Sequence, residues 1–245
     1  MEFEEYARIA DAEQGHWWYR SMPALMRAVL GDRLRPGLRI LDAGCGPGAN
    51  FGWLAPYGEV VGVDYSQEAV RLANERHPEM QALVADITDL PFEDASFDLA
   101  LELTVLALVP DDARAVSELA RVTRPGGAVL LMEPAIPRLR RDHDEVNRVL
   151  RRYRLAELED LAGRAGLGLR RTTYANSFLV PPAAALALAH KVKGPGAGST
   201  SDFERDRLGG LFGALAAAER RVLARRDVPF GLSAIVVAER SSPVS

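Results

Sequence analysis

With one cysteine, Cys45, the chain cannot be stapled by internal disulfides, and such sparse thiol usage suits a reducing compartment. No apolar stretch approaches the roughly 20 residues of a membrane-spanning helix. The longest, Phe178–Ala189, is interrupted by Pro181 and Pro182. The N-terminus, MEFEEYARIADAEQ, is acidic and has no apolar core segment, so no secretory leader is expected and a cytoplasmic protein is predicted. Excess positive charge is also missing. A formal charge of −4 over 245 residues argues against nucleic-acid binding by bulk electrostatics. There are no internal repeats, and no metal site is expected. Aromatic residues make up only 7% of the chain, which makes the patch His16-Trp17-Trp18-Tyr19-Arg20 conspicuous. It reads either as a helix anchored by buried rings or as a lid whose rings and Arg20 close over a ligand.

The stretch around which the rest is arranged is Ile40–Phe51, ILDAGCGPGANF. An apolar run ends in Asp42, and Gly44, Gly46 and Gly48 follow at alternate positions. That pattern predicts a buried parallel strand entering a loop where the main chain approaches a ligand closely. A helix expected from about Asn50 to Pro56 would turn its N-terminal amides toward that ligand. Gly44–Gly46–Ala49 also passes as a dinucleotide-binding fingerprint, so the loop alone leaves the ligand open.

From Leu38 onward strand-like and helix-like segments alternate, which predicts a parallel sheet. The expected strands are Leu38–Asp42, Glu59–Asp64, Gln81–Ala85, Phe97–Leu101, AVLLMEP (128–134), LGLRRTTYA (167–175) and Leu232–Glu239. Helices are expected over QEAVRLANER, capped by Ser66, over DDARAVSELARV, in a basic segment at 138–154, and over LAELEDLAGRAG, stopped by Gly166. Residues 2–35 read as two helices broken near Gln14–Gly15. About fifty residues between the last two strands exceed what an αβ sandwich needs. They hold a GPGAGSTS linker (194–201) and an amphipathic helix, Asp202–Arg226, whose predicted apolar stripe is Leu208, Leu211, Phe212, Leu215, Val222 and Leu223.

Ligands of such sheets sit beyond the carboxyl ends of the strands. Asp64 ends strand two and suits two ribose hydroxyls, because one carboxylate can accept from both. Tyr65 offers a flat ring to a purine. After strand three, Asp86 can accept from an exocyclic amine and the Ile87 amide can meet a ring nitrogen. After strand four come Glu102, Leu103 and Thr104. Each acid alone also reads as a helix cap or a solvated loop residue, and Asp42 as a brace for the glycine loop. Their succession is what an adenosyl ligand requires.

LDAGCGPG (41–48), VVGVDYS (60–66), ADITDLPF (85–92), FDLALELTVLALVPD (97–111) and LARVTRPGGAVLLMEP (119–134) together resemble the class I S-adenosylmethionine-dependent methyltransferases over nearly the whole chain. HWWYR, HDEVNRVLRRY (143–153) and PFGLS (229–233) resemble one small-molecule branch of that family. The resemblance implies a Rossmann-like three-layer αβα sandwich. Its seven-stranded sheet is mostly parallel with an antiparallel last strand, and it carries N-terminal helices and a helical insertion between strands six and seven. The implied organisation is one domain: a helical lid (1–35), a core (36–175 and 227–240) and a cap (176–226). The implied cofactor is S-adenosyl-L-methionine. Asp42, Gly44 and Gly46 would surround its methionine part, Asp64 would hold the ribose, Tyr65 would pack on the adenine, Asp86 and Ile87 would read its edge, and Glu102 would lie near the amino group. Trp18, Arg20, Cys45, Asn50 and Leu103 complete the expected cofactor set. Two departures stand out: Ala107-Leu108 where relatives often carry Glu-His, and Val149 where a second histidine is usual.

The sulfonium is already activated, so alignment of the acceptor comes first and a base second. Candidate bases are His143, Asp144 and His16. Candidate acceptor-side residues are Tyr19, Arg151, Arg152, Tyr174 and Phe178. The arginines belong to a run of seven at 138–154 that reads as a solvated face or as a binder of an anionic substrate group. The partner expected is a small molecule, with no nucleic acid and no membrane span, for a monomer or homodimer. Rival readings are a nicotinamide-dependent oxidoreductase, a cofactor-binding protein that transfers no methyl, and a methyltransferase for macromolecules.

Overall fold

The computed structural model describes residues 16–139, 144, 148–185 and 209–241. Seven strands form one sheet: β1 (Leu38–Ala43), β2 (Gly58–Asp64), β3 (Gln81–Val84), β4 (Phe97–Leu103), β5 (Thr123–Pro134), β6 (Leu167–Ala175) and β7 (Ser233–Arg240). Their order is β3-β2-β1-β4-β5-β7-β6. β7 is antiparallel to both its neighbours, and the remaining pairs are parallel. The switch in strand order therefore falls between β1 and β4, where an open α/β sheet presents its ligand crevice.

The helices are α1 (Trp17–Leu30), α2 (Phe51–Leu54), α3 (Gln67–Arg76), α4 (Asp112–Val122), α5 (Leu155–Arg164) and α6 (Gly209–Leu223). Successive strand residues face opposite sides. Leu41, Val61, Ala100, Val129, Leu131 and Val236 thus pack beneath α4 and α5. Ile40, Val60, Leu99, Leu101, Leu130 and Ile235 pack beneath α1, α2, α3 and the end of α6. These are the three expected layers.

The helix after the glycine loop covers close to the expected range, as one turn, Phe51–Leu54, continued as a 3-10 turn over Ala55–Tyr57. Pro56 and Gly58 cut it short, so it offers little dipole to a ligand. β5 begins at Thr123 rather than Ala128, with a break in its register to β4 at the Pro125-Gly126-Gly127 stretch.

The insertion helix is also rotated relative to its predicted stripe. Leu211 and Leu215 are 55% and 38% exposed, whereas Gly209, Ala216 and Leu223 are buried. The inward row is Gly209, Phe212, Ala216, Glu219, Leu223, a 3-4-3-4 spacing. Small residues on that row let α6 lie close to α1, and Glu219 turns inward because it has amides to meet. Leu208, the linker at 194–201 and the first N-terminal helix lie outside the described residues.

α1 precedes β1 and ends near its start, so Trp17 lies toward the carboxyl edge of the sheet. Arg171, on β6, fixes the other end. Its guanidinium donates to the carbonyls of Ala28 and Val29 at the end of α1 and of Leu223 at the end of α6, and its Nε donates to Asp227 at 2.7 Å. At the carboxyl edge Glu219 accepts from the amides of Asn176 (2.6 Å) and Ser177 (2.7 Å). The insertion is thereby bonded to the sheet twice within the last two turns of α6.

Candidate functional site

The glycine loop follows β1 and lies at the strand-order switch. Gly44, Gly46 and Gly48 have φ of 83°, 52° and 89°, a region that side chains rarely adopt. At Gly44 a Cβ would sit 2.1 Å from Val105 Cγ2, so the loop and the turn after β4 meet there without room for a methyl. At Gly46 a Cβ would meet nothing within 4 Å, which leaves the main chain open to a ligand. The amides of Gly44 and Cys45 donate to the Val63 carbonyl at 2.7 and 2.9 Å. Cys45 is buried and forms no disulfide, and its Sγ lies 3.5 Å from the Gly46 carbonyl.

Asp42, 1% exposed, accepts from Asn50 Nδ2 through both oxygens at 3.2 Å, and Trp53 Nε1 donates to Asn50 Oδ1 at 3.0 Å. The brace reading of Asp42 is therefore realised. Asp64 is half-buried. Its Oδ2 accepts from the Gly46 amide (3.0 Å) and its Oδ1 from the Ser66 amide (2.8 Å). Each oxygen keeps a second lone pair, so the carboxylate ties β2 to the glycine loop and can still accept from two hydroxyls. Burial raises its pKa, against those two amides, which lower it. Beside it the Tyr65 ring is 81% exposed. Asp86 is exposed, and its Oδ1 accepts from the Thr88 amide and hydroxyl at 2.8 and 2.7 Å, while Ile87 is buried.

Glu102 is fully buried at the end of β4, and its Oε1 accepts from the amides of Val105 and Leu106. Leu103 is half-buried, and Thr104 follows with φ 66°. A β-branched residue with positive φ is strained, and strain of this kind gathers at functional sites. Sequence reasoning missed Glu133, equally buried at the end of β5. An acid inside the apolar run AVLLMEP was the available signal.

The candidate bases and acceptor-side residues divide. His143 lies outside the described residues. Asp144 is 2% exposed and accepts from Arg152 Nε and Nη2 at 2.9 and 2.8 Å. Arg152 Nη1 donates to the Ala135 carbonyl. Arg151 pairs with Asp112 at 2.6 Å and donates to the Pro110 carbonyl. In this conformation Asp144 and both arginines fasten the 148–153 segment to the sheet, with Tyr153 bridging to Ala135, and that segment is not the helix expected. His16 caps α1, its Nδ1 accepting from the Trp18 amide at 3.3 Å. Trp18 lies with Met22, Leu25, Asn176, Ala216 and Glu219 around a small gap between α1 and α6, and Arg20 is exposed. The Tyr174 hydroxyl accepts from the Leu155 amide and so caps α5. Phe178 does meet the aromatic patch. Trp17 lies 6.0 Å from Phe178 and 5.4 Å from Phe212, which brings three elements together, and Tyr19 stands beside His16. Ala107 and Val149, the two apolar departures, pack into the core beneath α4 and α5.

Comparison with known proteins decides the family. Residues 41–131 match the methyltransferase domain model. A malonyl-[acyl-carrier protein] O-methyltransferase of Pseudescherichia vulneris is 34% identical over 203 residues, covering 78% of this chain and 77% of that protein. The chain belongs to the S-adenosylmethionine-dependent methyltransferases. Among solved structures, the methyltransferase of Haloferax volcanii in complex with its Trm112 activator superposes with a TM-score of 0.66 at 21% identity, covering 100% and 98% of the two chains. The [4+2]-cyclase SpnF does so with 0.61 at 22%, covering 91% and 81%. At these identities the likeness shows the fold. The chain spans about half the length of most of the first curated relatives it matches. The family's cofactor, S-adenosylmethionine, suits what is present here: an open main-chain cradle at Gly46, a carboxylate with two free lone pairs at Asp64, and an exposed ring at Tyr65. No helix among the described residues is long and apolar enough to cross a membrane.

Proposed function

We propose that this protein transfers a methyl group from S-adenosylmethionine to a small-molecule acceptor, within the cytoplasm and as a monomer or homodimer. The observation that carries the reading is the Asp64 carboxylate, bonded to the Gly46 amide with Tyr65 exposed beside it at the strand-order switch. The cofactor supplies an electrophilic methyl, and the chain supplies alignment. Gly44, Gly46 and Asp42 bound the methionine end, Asp64 the ribose, and Tyr65, Asp86 and Ile87 the adenine. Residues 1–35 and 176–226 act as lid and cap. The rings of Trp17, Phe178 and Phe212 favour an acceptor with an apolar body. Arg151, Arg152 and Asp144 are read as structural, because their charges are met inside the chain.

A second reading is cofactor binding without transfer, as in guiding a cyclisation. It draws on one observation: Asp144 and His16, the candidate bases within the described residues, are engaged as an ion-pair partner and a helix cap. Incubation with methyl-labelled cofactor and a panel of apolar O-, N- and C-acceptors separates the two. Labelled product establishes transfer. Tight S-adenosylhomocysteine binding with no product from any acceptor favours the second reading.

A further inference from the structure

Glu102 and Glu133 are both 0% exposed, on the same face of adjacent strands, at the carboxyl edge that carries the site. They lie beside each other. Glu102 Oε1 accepts from two amides, but Glu102 Oε2 and both oxygens of Glu133 have no hydrogen-bond partner of good geometry. The amides of Leu106 and Ala107 approach Glu133. The ionisable groups facing the pair from neighbouring elements are Tyr153 and Asp112, whose hydroxyl and carboxylate meet at 2.7 Å. The nearby cations are committed elsewhere, Arg151 to Asp112 and Arg152 to Asp144. Ionising the second of two buried carboxylates in contact is strongly disfavoured, because an uncompensated buried charge is costly. Burial raises both pKa values, Glu102's to about 7 and Glu133's well above the ordinary range, where the charge on Glu102 adds to the effect.

The pair stands at the base of two strained turns. Thr104 after β4 has φ 66°, and Ile136 after β5 has φ 59°, both unfavourable for β-branched residues. Between the first of these and the 3-10 turn Leu106–Leu108 lies Val105, whose amide is bonded to Glu102 and whose side chain fills the space beside Gly44.

We infer that Glu102 and Glu133 form a carboxyl–carboxylate pair, joined by one shared proton, that positions the turns after β4 and β5 against the glycine loop, and that loss of this proton at alkaline pH releases those turns and weakens cofactor binding. The inference rests on the reading that the glycine loop holds S-adenosylmethionine. Both glutamates act here as positioning residues.

Calorimetric titration with S-adenosylhomocysteine at pH 7.5 and 9.5, on the full chain and its Glu133→Gln variant, tests it. The introduced amide still donates to Glu102 but cannot ionise. The parent's affinity is expected to fall about tenfold over this range, the equivalent of one pKa unit, and the variant's by much less. Any other group that titrates over this range, the ligand's amine included, does so in both proteins, so the difference isolates the pair. Parallel losses in the two proteins overturn the proposal. Infrared spectra of the ligand-free proteins give a second readout. A protonated, buried carboxyl band is expected in the parent at pH 8 and not in Glu133→Gln. Its absence from the parent also overturns the proposal, even if the variant does not fold. If neither protein binds the ligand at any pH, the cofactor reading has failed, and the infrared band alone decides whether the pair shares a proton.

Discussion

At the scale of single residues, Asp64 has more than one task. Its two oxygens hold the Gly46 amide and start α3 through the Ser66 amide, so the carboxylate shapes the loop that it is proposed to serve. Removing it leaves the Gly46 amide without its acceptor and takes two charge-assisted bonds from a ribose, each worth about 1.5–3 kcal/mol. Asp64→Ala is therefore expected to weaken S-adenosylhomocysteine binding by about 100-fold or more, measured by calorimetry, since each 1.4 kcal/mol is tenfold. Binding equal to the parent's would remove the ribose from this position. Asp64→Asn should fall between the two, because one oxygen still accepts while the other position becomes a donor.

At the scale of elements, Arg171 joins three of them, β6 and the two helices above it. One guanidinium meets the C-terminal carbonyls of α1 and α6 together and is steadied by Asp227. Helix ends leave such carbonyls unpaired, and a cation there also complements the helix dipole. Arg171→Ala is expected to cost about 2–3 kcal/mol. That corresponds to a melting temperature lower by about 4–12 °C for a chain of this size. Arg171→Lys should recover little, since one ammonium cannot reproduce the fork. A melting temperature unchanged in Arg171→Ala would show that the two helices are held by apolar packing alone. No sequence pattern announces this clamp. The strand LGLRRTTYA shows two arginines alike, yet Arg170 turns outward to Glu239 and Arg171 inward beneath two helix ends. The α/β alternation, the strand ends and the capping Ser66 were legible, because each rests on local chemistry. The orientation of α6 was not. Its inward row is chosen by close approach to α1 and by Glu219 reaching the amides of Asn176 and Ser177, contacts between segments far apart in sequence. The arginines at 151 and 152 left two readings open for the same reason: their partners here, Asp112 and Asp144, are set by the fold and not by the charge run.

At the scale of the whole molecule, the carboxyl groups pull stability in opposite directions as pH changes. Glu118 and Glu239 are held below their ordinary pKa, Glu118 chiefly by its bond to Arg121 and Glu239 chiefly by Arg170, with Arg33 next. Stability from such groups is present above the unfolded-state pKa and is lost as pH falls through the folded value. Glu102 and Glu133 behave in the reverse sense. Burial makes the folded chain keep protons that the unfolded chain releases, so stability falls as pH rises from about 4.5 toward about 7 and beyond. The fully buried pair lies in the sheet core, and the Glu118–Arg121 pair is sheltered too, whereas the Glu239 pairs with Arg170 and Arg33 are more open, where salt also weakens them. The alkaline limb is therefore expected to be the steeper at moderate ionic strength. Melting temperatures of the ligand-free chain should fall between pH 5.5 and 8.5, and Glu133→Gln should flatten that fall while leaving the acid limb in place. Added salt should lower the acid limb and leave the alkaline limb unmoved, since screening reaches surface pairs and not a carboxyl pair sealed between β4 and β5. Parallel pH curves for the parent and Glu133→Gln would mean that the alkaline limb arises elsewhere in the molecule.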